Sequence, residues 1–106
     1  MKSKEQTIQD EAKRFVEYAI GGLLPVVAYA NKARDVFDRN PCVLTGSRRH
    51  DAEEAMKKSV IDTRKLLWKM WKEEFKSYIS AKKYCHMMED ALNLLNPEGN
   101  SNNQTK

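Results

Sequence analysis

The chain has 106 residues, a length suited to one domain with a single modest core. Hydrophobic residues make up 41% and charged residues 32%, a balance that suits a soluble helical protein better than a disordered one. Four Gly and three Pro are too few for the turns of a β-rich fold, so the expected class is all-α, while the net charge of +4 points toward anionic partners.

Ser3-Lys4-Glu5-Gln6 fits the S-x-x-Q capping box that opens a helix. Ile8, Ala12, Phe15, Val16, Ala19, Ile20 and Leu23 then recur at helical spacing, which predicts a first helix over about 4–22. Gly21-Gly22 and Pro25 should kink or break it, since Gly is a weak helix former and Pro sits best in a first turn. A second helix is predicted over about 25–39, with Val26, Tyr29, Ala30, Ala33, Val36 and Phe37 on one face and Asn40-Pro41 as its stop.

Residues 40–47 read as a loop. Ser47 or Asp51 then caps a third helix, and Asp51, Glu53 and Glu54 suit its N-terminal dipole. From there to Leu95 no Gly or Pro occurs, so the predicted helix runs over about 48–95, ending at Asn96-Pro97-Glu98-Gly99. Together, residues 1–96 form the expected single helical domain, and 97–106 are expected to be a disordered tail.

A seven-residue rhythm marks the long helix. Trp71, Tyr78, Cys85 and Leu92 fall on one row, and Val60, Leu67, Ala81, Met88 and Leu95 on its neighbour, with Glu74 interrupting the second. A helix of roughly 45 residues would be about 70 Å long, whereas a compact chain of this size has a radius of gyration near 13 Å. Either the helix breaks around Ser77-Tyr78-Ile79-Ser80, or the protein is elongated. The elongated reading gives a kinked N-terminal arm antiparallel to the long helix. Its wide apolar face of Trp68, Trp71, Phe75 and Tyr78 would then be covered by a homodimer that completes the bundle.

Function must be sought in the charge pattern. Residues 57–83 hold nine Lys/Arg against three Asp/Glu. Lys58, Lys65, Lys69, Lys72, Lys76 and Lys83 fall within an arc of roughly 60° on a continuous helix. Such a ridge can track phosphates, and the interleaved Trp68, Trp71 and Phe75 could offer an aromatic border on which an exposed base stacks. The same lysines could equally be a solvated face or meet an acidic protein surface, with the aromatics turned to the core. A second candidate is an anion site at Ser47, Arg48 and Arg49, where free helix N–H groups and two guanidinium forks could clamp a phosphate.

Other chemistry is poorly supported. Cys42, His50, Cys85 and His86 lack metal-ligand spacing, so no metal or cofactor is expected. No nucleophile stands beside a base at recognisable spacing, and no carboxylate is marked out, so no enzyme is expected. Two cysteines outside any C-x-x-C pattern, with no secretory signal and no apolar run long enough for a transmembrane segment, suggest a cytoplasmic protein. The expectation is a non-catalytic binding protein that engages nucleic acid through the lysine ridge. The alternative is a protein-interaction module, an inhibitor or adaptor, acting through its helical surface.

Overall fold

The computed structural model describes residues 2–95, and these contain four α-helices and no strand. Helix α1 spans Lys4–Gly21, α2 Leu24–Arg39, α3 Val43–Met70 and α4 Ala81–Leu94. Helix α3 runs on through one π-helical turn, Trp71–Phe75.

The ends of α1 and α2 follow from their sequence. Ser3 Oγ accepts a hydrogen bond from the Gln6 backbone N–H at 3.1 Å, so the N-cap forms. The reciprocal half of the capping box does not, because the Gln6 amide donates to Asp10 instead. Gly22 stays in the right-handed α region, and its N–H donates to Tyr18 O at 3.2 Å. A Cβ there would lie 3.2 Å from Ala19 O, so the corner needs glycine for a close approach and not for unusual dihedrals. Pro25 falls in the first turn of α2, where its missing N–H costs nothing.

Helix α3 begins five residues before the expected position at 48. Pro41 forces Asn40 out of the helical region, to φ −147° and ψ 70°, and α2 stops. Cys42 and Thr45 then cap the next helix. The Cys42 N–H donates to Thr45 Oγ1 at 3.0 Å, and that hydroxyl also lies 2.9 Å from Asn40 O. Gly46, read from sequence as part of the loop, is therefore helical, and it lets α3 pass closely over Phe37. A Cβ on it would meet Phe37 Cε1 at 3.4 Å. With only Asn40–Cys42 between them, α2 and α3 form an αα-hairpin.

The predicted helix over 48–95 is likewise not continuous. Past the π turn, the Tyr78 and Ile79 N–H groups both bond Phe75 O at 2.9 Å, and Ser80 caps α4 by accepting from the Lys83 N–H at 3.1 Å. Side chains hold this corner in place of Gly or Pro. The Trp71 indole N–H donates to Ile79 O at 2.8 Å, and the Gln9 amide reaches across from α1 to Tyr78 O at 3.1 Å.

The break allows α4 to fold back, and the core forms where α1, the end of α3, the π turn and α4 meet. Val16, Ile20, Leu67, Tyr84 and Met88 are fully buried there, joined by Ala12, Leu23, Phe75, Ile79 and Ala91. The aromatic face that was expected to need a second copy of the chain is largely covered by this one. Phe75 is buried, and Trp68, Trp71 and Tyr78 are partly buried against the core. The α2–α3 hairpin is thinner. Apart from Leu67 at the far end of α3, it buries only Ala30 and Ala52 among its apolar residues, and leaves Tyr29, Val43 and Leu44 exposed. The molecule measures 57 × 32 × 19 Å.

Candidate functional site

All six ridge lysines are exposed, but the turn at residues 76–80 divides them. Lys58, Lys65 and Lys69 lie on α3, Lys72 in the π turn and Lys76 just beyond it, while Lys83 is carried away in the first turns of α4. Two of the six are engaged. Lys58 pairs with Asp62 at 3.3 Å, an ordinary i,i+4 contact, and Lys83 Nζ donates to Gln9 Oε1 at 2.7 Å, joining α4 to α1.

Lys65, Lys69, Lys72 and Lys76 make no ion pair among the described residues. Glu73 stands four residues after Lys69 without closing a bridge. Lysine before glutamate is the weaker orientation of an i,i+4 pair on a helix. The structure brings Lys65, Lys69 and Lys72 together around a shallow depression of about 320 Å³, and Trp68 completes its lining. No acidic residue lines it.

Trp68 is held by two aromatic contacts. Its ring lies 5.6 Å from Trp71 at 86° and 5.5 Å from Tyr84 at 60°, both edge-type arrangements. Each neighbour is itself fixed, Trp71 by Ile79 O and Tyr84 by its hydroxyl donating to Leu67 O at 2.9 Å. The Trp68 indole N–H has no hydrogen-bond partner among the described residues. Of the three aromatics that the spacing placed along the lysines, only Trp68 lines the depression; Phe75 is buried and Trp71 packs against the core. The spacing could not show that Tyr84, sixteen residues on, would support the tryptophan.

Ser47, Arg48 and Arg49 lie inside α3, past its first turn. The first N–H groups at this helix end belong to Val43, Leu44 and Thr45, because the helix starts early; the Cys42 side chain already accepts from the Thr45 N–H, and the Gly46 N–H is bonded to Cys42 O at 2.8 Å. Arg49 Nε donates to Glu53 Oε1 at 3.0 Å, and its guanidinium lies 5.1 Å from the Phe37 ring centroid. The same bond holds the Glu53 carboxyl below its usual pKa range. Arg48 instead lines a cleft of about 140 Å³ between α2 and α3, with Tyr29, Lys32, Ala33, Val36 and Thr45. Sequence reading missed this cleft; the apolar residues spaced along α2 were assigned to a core face.

Cys42 and Cys85 are free thiols, one exposed at the start of α3 and one partly buried in α4. The Thr45 hydroxyl beside Cys42 lowers its pKa. Among the described residues, no group of three or more His, Cys, Asp or Glu stands close enough to hold a metal ion. No described helix is long and apolar enough to cross a membrane. No protein-family model, curated protein or solved structure matches the chain.

Proposed function

We propose that the protein is a non-catalytic binding protein that engages nucleic-acid phosphates through Lys65, Lys69, Lys72 and Lys76. The observation that carries this reading is that four exposed lysines share one stretch of the molecule with no ion pair among the described residues to neutralise them. Unpaired surface ammonium groups supply the counterion release that drives phosphate binding. Lysine is a flexible point charge, so contacts should go to the backbone with little reading of base edges. Lys58 and Lys83 contribute less, because each already has a partner.

Changing Lys65, Lys69, Lys72 and Lys76 to Gln should weaken binding similarly for every sequence and flatten the salt dependence by about one unit of slope per lost phosphate contact. Stability should change by no more than about 0.5 kcal/mol per site, since all four side chains are exposed. Absence of affinity for any DNA or RNA at about 50 mM salt, where such binding is strong, would sink the reading.

A second reading rests on the outer end of the hairpin. Tyr29, Val43 and Leu44 are exposed there beside the cleft that Lys32 and Arg48 line, a surface suited to a protein partner, a second copy of the chain included. Binding at that surface should be far less sensitive to salt than binding through the lysines.

A further inference from the structure

The depression between the lysines has a chemistry that phosphate contact alone does not use, and its interpretation rests on the nucleic-acid reading above. We propose that it is a base pocket: an unpaired nucleobase stacks on Trp68 while Lys65, Lys69 and Lys72 hold the flanking phosphates, so that the preferred ligand is a single strand. A phosphate-only site needs nothing but a convex row of cations. Here the cations surround a hollow with an indole in its lining and no carboxylate to repel an anion. The depression, about 320 Å³, is shallow and open to solvent, a shape against which one flat ring can lie.

The indole is also prepared for the role. Its edge contacts with Trp71 and Tyr84 fix its plane before any ligand arrives, so little side-chain freedom is lost on binding. Its N–H has no partner among the described residues and can donate to a base carbonyl or a phosphate oxygen. In a duplex, the faces of the bases are covered by their neighbours, so an indole on the protein surface has none on which to stack. Only a strand whose bases can swing out satisfies both the cations and the ring. The π turn Trp71–Phe75 adjoins the hollow and carries Lys72, a placement common for such turns at working sites.

The test compares fluorescently labelled oligothymidylate and oligouridylate of about 10 nucleotides with a hairpin duplex of equal charge, on the full chain. Either single strand should bind more tightly than the duplex. Trp68→Leu should lower single-strand affinity about 5- to 150-fold, the equivalent of one stacked base, and leave duplex affinity unchanged. Trp68→Phe should restore much of the loss. Because Trp68 also packs against the core, a second measurement starts without altering it. In the unaltered protein, unlabelled single strand should quench the tryptophan emission and duplex should not, and Trp68→Phe should abolish that quenching. Equal affinity for single strand and duplex, with no quenching, overturns the base pocket and leaves the lysine reading standing. Absence of binding to all three probes overturns both.

Discussion

The hydroxyl of Tyr84 is the polar group most deeply committed to the core. The residue is fully buried, yet its O–H finds Leu67 O at 2.9 Å, on the last α turn before the π segment. That carbonyl also accepts from the Trp71 N–H, so Tyr84→Phe removes one of two bonds and strands no group. The expected cost is about 0.5–1.5 kcal/mol, read from urea unfolding. Burial pushes the Tyr84 phenol up to about 12, above the ordinary tyrosine value near 10. The unfolded chain therefore loses this proton first. Stability is whole below about pH 10 and declines as pH rises toward 12. The Phe variant should lack this share of the alkaline decline; identical pH profiles for the two proteins would show that the phenol is not shielded.

At the level of elements, the corner before α4 depends on a single cap. Ser80 Oγ accepts from the Lys83 N–H, so Ser80→Ala should cost about 1 kcal/mol, or roughly 4–8 °C in melting temperature. An unchanged melting temperature would mean that the tertiary contacts of Trp71 and Gln9 hold the corner unaided. The helices before this point were legible because their signals are local: Ser3 opens α1, Gly21-Gly22 and Pro25 mark the corner, and Asn40-Pro41 ends α2. The start of α3 was misread because cysteine is an unusual cap and Thr45-Gly46-Ser47 resembles a loop. The π turn had left a trace in the rhythm. Glu74 falls where an apolar residue is due after Val60 and Leu67, and the buried residue is Phe75, one position later. A π turn takes up that extra residue. The lysine face was legible from spacing up to Lys76. The fate of Lys83 was not, because its partner Gln9 lies 74 residues away in sequence.

The whole molecule divides unevenly along α3. One end buries Val16, Ile20, Leu67, Tyr84 and Met88, while the α2–α3 hairpin buries little beyond Ala30 and Ala52. Amide exchange should therefore show α2 and the first half of α3 opening at markedly lower free energy than α1 and α4. Uniform protection from end to end would contradict this division. The candidate pocket lies at the better-packed end, on the side where its tryptophan is braced. The outline itself has a practical consequence. With a radius of gyration of 17.0 Å against about 13 Å for a compact chain of about 100 residues, the protein meets more friction than a sphere of its mass. On a sizing column calibrated with globular standards, the 12.3 kDa chain will elute early and counterfeit a dimer. Light scattering or sedimentation equilibrium, which weigh the particle independently of its drag, will tell one long chain from two.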